Sequence, residues 1–164
     1  MTAVALLAFA GACSTVHDLN PAAAKSGVGY ADLFTDPKTN VWWKVDVFDA
    51  RDQGYKEFTQ QFNSPGEGIF RVEAKPGRHK ARISFVNQAV EAPAEVEAEI
   101  REGMITPIRV TLRKGGTANV QIKEDRLSIR RSKVTDYQQE VWQISAEALP
   151  PTPYVSKEKT TYWK

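Results

Sequence analysis

The stretch "VWWKVDVFD" at residues 41–49 decides the fold. Val41, Trp43, Val45 and Val47 fall on one side and Trp42, Lys44 and Asp46 on the other, the period of two that belongs to a half-buried strand. The same alternation recurs downstream. In "IFRVEA" (69–74), Phe70, Val72 and Ala74 share a face, with Arg71 and Glu73 opposite. "KPGRH" (75–79) predicts a turn, because Pro76 fixes φ and Gly77 accepts a positive φ. "HKARISF" (79–85) then sets His79, Ala81, Ile83 and Phe85 against Lys80, Arg82 and Ser84. In "AEVEAEI" (94–100), Ala94, Val96, Ala98 and Ile100 alternate with Glu95, Glu97 and Glu99. After the turn "EGM", "ITPIRVTLRK" (105–114) presents Ile108, Val110 and Leu112 against Arg109, Thr111 and Arg113, and Val120 and Ile122 continue the pattern past "GG".

Short alternating runs broken by Gly and Pro predict antiparallel strands. About seven such strands bury their apolar faces only by pairing into two packed sheets, so residues 41–124 are expected to form an all-β antiparallel sandwich of two packed layers, as in Ig-like domains. The chain of 164 residues suits one domain with flanking segments. Its 41% hydrophobic and 26% charged residues exclude a wholly disordered chain. With 22 basic and 20 acidic side chains the formal charge is +2 and no long block of one sign occurs, so no nucleic-acid partner is expected. Residues 13–40, with Pro21, Pro37 and little periodicity, read as a tether and lead-in, where "ADLF" (31–34) fits a helical turn or a docking strand. Residues 125–164 read as a less regular extension. Within it "RLSIRRSKVTDYQQEVWQIS" (126–145) reads as one or two more strands or as a helix: Leu127 and Ile129 fit a strand, and Tyr137, Val141 and Ile144 fit a helical stripe. "LPPTPYVSKEKTTYWK" (149–164) reads as an irregular or extended tail.

The chain's one cysteine, Cys13, follows the apolar run 3–10 and the small residues Ala10, Gly11 and Ala12, with no charged side chain in residues 1–12. A short apolar core followed by small residues is an export signal and is too short to span a bilayer. "AGAC" (10–13) resembles the lipobox of bacterial lipoproteins. That resemblance implies a signal peptide over residues 1–12, cleavage before Cys13, and acyl chains on Cys13 that hold the protein on a membrane. Ala10 stands where the lipobox usually has Leu, and the basic leader is absent, which allows a start upstream of Met1. "AFA" and "AGA" also satisfy simple secretory cleavage, and an apolar N-terminal helix with a buried Cys is the cytosolic alternative. Ser14 rather than Asp after the Cys implies, on the same resemblance, the outer membrane of a two-membrane bacterium, with the domain periplasmic or surface-facing.

A strand ending in Pro-Gly, an alternating strand, and then "VEAEIREGMITPIRVTL" (96–112) resemble the transthyretin-like or PEGA-type sandwich over roughly residues 42–123. This resemblance implies a non-catalytic accessory module of exported bacterial proteins. Type VI secretion lipoproteins also combine a lipobox with such a sandwich, but their detailed signals do not occur in this sequence.

Little in the sequence suggests catalysis. His17 lies in the tether and His79 at a strand start, no His/Cys/Asp/Glu grouping has metal-ligand spacing, and no G-x-S-x-G occurs. Neither cofactor nor metal is expected. Glu95, Glu97 and Glu99 share one strand face and could bind Ca²⁺ or act as paired carboxylates, although cross-strand pairing with Lys80, Arg82, Arg109 or Arg113 is the simpler role. Trp42, Tyr55, Phe58 and Phe62 surround an expected hairpin, and Tyr154, Tyr162 and Trp163 lie in the tail. Trp42, Tyr55, Phe58, Tyr162 and Trp163 are the candidate ligand surface, unless they cover the sandwich itself. The expected function is therefore a lipid-anchored envelope module that binds a protein partner. A carbohydrate or peptidoglycan binder using the aromatics is the alternative, and a hydrolase using the glutamates ranks behind both.

Overall fold

The computed structural model describes residues 19–62, 68–124 and 133–163. Cys13, with the lipobox, and Leu127 and Ile129 lie outside these residues. The strands are β1 (Gly29–Asp36), β2 (Trp42–Asp49), β3 (Gly54–Phe62), β4 (Ile69–Ala74) and β5 (Gly77–Phe85). They continue as β6 (Ala89–Val90), β7 (Ala94–Ile100), β8 (Met104–Glu124), β9 (Lys133–Ala148) and β10 (Thr152–Pro153), and a 3₁₀ turn follows at Lys157–Lys159. One sheet runs β4-β1-β8-β9-β6, with β10 paired to β8; the other runs β3-β2-β5-β7. Leu33, Phe70 and Val110 of the first sheet share one buried cluster with Trp43, Ile83 and Val96 of the second. The fold is an all-β sandwich.

The alternating runs behave as their pattern requires. Along β7 the burial alternates strictly, alanine, valine and isoleucine inward and the glutamates outward. Trp43 is fully buried while Trp42 is exposed. β2 and β3 form the expected hairpin, with Asp49 opposite Gly54.

Three expectations change. First, the sheets are not purely antiparallel, because β1 runs parallel to β8, and β6 parallel to β9. Second, the sandwich begins before residue 41: β1, the docking strand that "ADLF" allowed, lies in the lead-in segment, between β4 and β8 in the first sheet. Residues 29–35 are all buried. Ala31 and Leu33 face the sandwich core, whereas Tyr30 and Phe34 meet aromatic rings of the C-terminal segment. A strand covered on both faces carries no alternation, as is usual where strands run parallel. Third, the sandwich does not stop at residue 124: Tyr137, Val141 and Ile144, which also fitted a helical stripe, lie on β9, one of the further strands this segment allowed, paired to β8 as far as Ile108↔Ala148. β8 passes through "GG" without a turn, and its register shifts at Lys114/Gly116, where Gly116 takes φ 145°. That is the arrangement of a bulge, which a glycine tolerates.

Gly29 opens β1 because nothing larger fits. A Cβ there would strike the Arg101 carbonyl oxygen and would lie 2.7 Å from a methyl carbon of Ile100. Gly29→Ala is expected to lower the unfolding free energy by about 1–3 kcal/mol, the usual cost of overpacking. A urea midpoint unchanged from wild type would refute this.

Candidate functional site

Three places on the sandwich combine residues in a way that bears on function. The first lies under the C-terminal segment, on the outer face of β1. Asp32 and Arg71, opposite each other on β1 and β4, are both fully buried. Arg71 Nε donates to Asp32 Oδ1 at 2.6 Å and its Nη2 to Oδ2 at 2.7 Å, a bidentate fork. Arg71 Nη1 donates to the Val155 carbonyl at 2.8 Å, and the guanidinium lies 5.1 Å from the Tyr154 ring centre. Tyr162 donates its hydroxyl to Asp32 Oδ2 at 2.8 Å and stacks on Phe34 at 4.2 Å. Burial, and then the Asp32 charge, push the Tyr162 hydroxyl far above the usual phenol range, so it stays a donor. Trp163 Nε1 donates to the Thr35 carbonyl at 2.8 Å, and Lys38 sits over the same ring. The tail is thus extended, as expected, and strapped across the sheet.

Of the five aromatic candidates, the structure brings Tyr162 and Trp163 together, in contacts made within the chain. Trp42 is 42% exposed at the start of β2. Tyr55, near the other end of the hairpin, packs edge-on to Phe48 and lies beneath the Arg82 guanidinium at 3.9 Å. Phe58 turns inward against the core. The five do not share a face. The glutamate row pairs locally: Glu95 with Arg82 at 2.8 Å, Glu97 with Arg78 at 3.2 Å and Glu99 with Arg101 at 3.1 Å. The Arg101 guanidinium holds Glu99 below the usual carboxylate range. Arg109 instead pairs with Glu147 across β8 and β9. Among the described residues no three His, Cys, Asp or Glu side chains converge as metal ligands, and no helix is long and apolar enough to cross a membrane.

The second place is the far end of the β8–β9 ribbon. β1 pairs with β8 only as far as Asp36↔Thr111, and Pro37 follows. β6 pairs with β9 only at Val141 and Trp142. From Thr117↔Glu140 to Glu124↔Lys133 the two strands pair with each other and, among the described residues, with no third strand. At about 3.4 Å per residue this arm is about 27 Å long. Residues 115–122 of β8 carry no charge. Natural edges are usually blunted by charges, especially lysine.

The third place is a cavity of about 370 Å³ between the sheets, lined by residues of both and bordered by Glu73, Lys75 and His79. Sequence reading missed it and the Asp32–Arg71 pair, since inward alanines read as ordinary core and Arg71 as a solvent-facing strand residue.

No protein-family model, curated protein or solved structure matches this chain.

Proposed function

We propose that the chain is a non-catalytic, lipid-anchored protein of the bacterial envelope, held at the outer membrane through acyl groups on Cys13. Its role is to bind another envelope protein by taking an extended segment of that partner onto the free edge of β8. The observation that carries the binding reading is the arm beyond Thr111, where an uncharged stretch of β8 runs on without the strand that flanks it earlier. A two-stranded ribbon is marginal in water, and strand addition satisfies its unpaired backbone groups. The anchor reading rests on "AGAC" at 10–13.

Metabolic labelling with an alkyne fatty acid tests the anchor: wild type is expected to take up label and Cys13→Ala to lose it. Absence of label in the wild type would retire the anchor. For the binding edge, a photo-crosslinker at Asn119 is expected to give a discrete adduct in intact cells. One at Lys44, on the hairpin of the other sheet, is not. Identical patterns from the two positions would retire the strand-addition surface.

A further inference from the structure

The cavity between the sheets is a second site, separate from the arm. It lies at the end of the sandwich where β4 turns into β5, and its walls are Leu33, Val45, Val47, Phe58, Ile83 and Ile108, among others. It exists because four facing positions carry alanine: Ala31 on β1, Ala74 on β4, Ala81 on β5 and Ala98 on β7. Packed sheets stand about 10 Å apart, a gap that interdigitating side chains normally fill. Cutting four of them to a methyl group leaves an apolar slot about one hydrocarbon chain thick. Protein interiors hold few voids larger than a water molecule, and 370 Å³ instead lies within the range of small-molecule sites.

The polar groups are confined to the rim. Glu73 is neutralised by Lys25 at 2.7 Å. His79 Nε2 lies 2.8 Å from the Lys75 carbonyl, which can only accept, so Nε2 is the donor. Arg78, next along β5, pairs with Glu97. Lys75 is exposed and has no ion-pair partner among the described residues. Ala74 and Ala81 are only half-buried, which marks the opening beside this turn. An apolar slot whose unneutralised rim charge is positive fits an anionic amphiphile.

We propose that this cavity binds a single unbranched acyl chain, inserted between the sheets, with its carboxylate or phosphate headgroup held at Lys75. The test is calorimetric titration of the full chain with laurate below its micellar concentration, beside dodecanol and dodecyltrimethylammonium. The chain carries Cys13→Ala, so that no acyl group attached there competes. Saturable one-to-one binding of laurate is expected. Ala98→Phe and Ala81→Phe, which fill the slot from different strands, should each weaken it by about tenfold or more, with circular dichroism reporting that the sandwich remains folded. Phe58→Ala lengthens the slot and should shift the preference toward longer chains. Lys75→Glu should weaken laurate by about two- to fivefold, as loss of an exposed ion pair does, and leave dodecanol unchanged. Failure of laurate to saturate, or laurate binding that persists unchanged in both folded phenylalanine variants, would overturn the site. Equal affinity for laurate and the cationic amphiphile would overturn the placement of the headgroup. Lysophosphatidic acid in place of laurate distinguishes phosphate from carboxylate as the preferred headgroup.

Discussion

Asp32→Ala is expected to lower the unfolding free energy by about 3–5 kcal/mol, the loss seen when one partner of a buried ion pair is removed. A domain of this size holds roughly 5–15 kcal/mol in total, so the variant should unfold at much lower urea. The loss comes from what remains. Arg71 keeps the Val155 carbonyl and the Tyr154 ring, but its charge stays fully buried and loses the bidentate carboxylate that faced it. The effect should spread to the tail, because Asp32 Oδ2 is also the acceptor for the Tyr162 hydroxyl. Limited proteolysis should therefore cut the last residues of Asp32→Ala sooner than those of wild type, under conditions where both are folded. The double variant Asp32→Leu/Arg71→Met separates charge from packing. Replacing both ions with apolar groups of similar size is often neutral, so the double variant should recover to within about 1–2 kcal/mol of wild type. A single variant that loses less than about 1 kcal/mol would mean that water reaches the guanidinium. A double variant no better than the single would mean that the pair's geometry, not its charge balance, holds the tail.

This pair also shows where sequence reading stops. β2, β5 and β7 were legible because each has one face in the core and one in water, and the two faces demand opposite chemistry at alternate positions. β1 has no watery face. "GYADLFTD" alternates between two buried environments, one apolar and one formed by the Asp32–Arg71 pair and the tail rings, so its residues show no contrast. Arg71 misleads for the same reason: its position opposite Phe70 and Val72 says that it faces away from the core, not that residues 154–163 will cover it. The covering segment lies more than eighty positions away, and nothing local to either strand announces it. The tail aromatics were legible as contact-makers but not as contacts made within the chain. The arm was hidden differently, since "GG" in β8 serves equally for a turn or for a bulge in a continuing strand, and only the length of β9 opposite decides. The cavity depends on which alanines face one another across the sheets, and that follows from topology rather than from any one strand.

Trp43 tests the core at its largest fully buried side chain. Its indole meets Phe85 edge-on at 5.4 Å and lies parallel to Phe70 at 6.5 Å, so it links β2 to β5 within one sheet and to β4 in the other. Trp43→Ala is expected to cost about 3–5 kcal/mol, from lost burial and from a hole that strands on both sides cannot close. Trp43→Phe should behave quite differently. The indole Nε1 is buried with no hydrogen-bond partner among the described residues, so the wild type already bears the desolvation of an unmet donor, about 1–3 kcal/mol. Phenylalanine removes that donor while keeping a ring between Phe70 and Phe85. The relief offsets much of the lost contact, and the net cost should be about 1 kcal/mol or less, measured from urea midpoints at constant slope. If Trp43→Phe costs as much as Trp43→Ala, the indole nitrogen is satisfied, by a buried water in a site that the surrounding apolar side chains do not suggest. If Trp43→Phe is neutral, the sandwich holds its two sheets together through ring area alone, and the tryptophan's nitrogen contributes nothing to the fold.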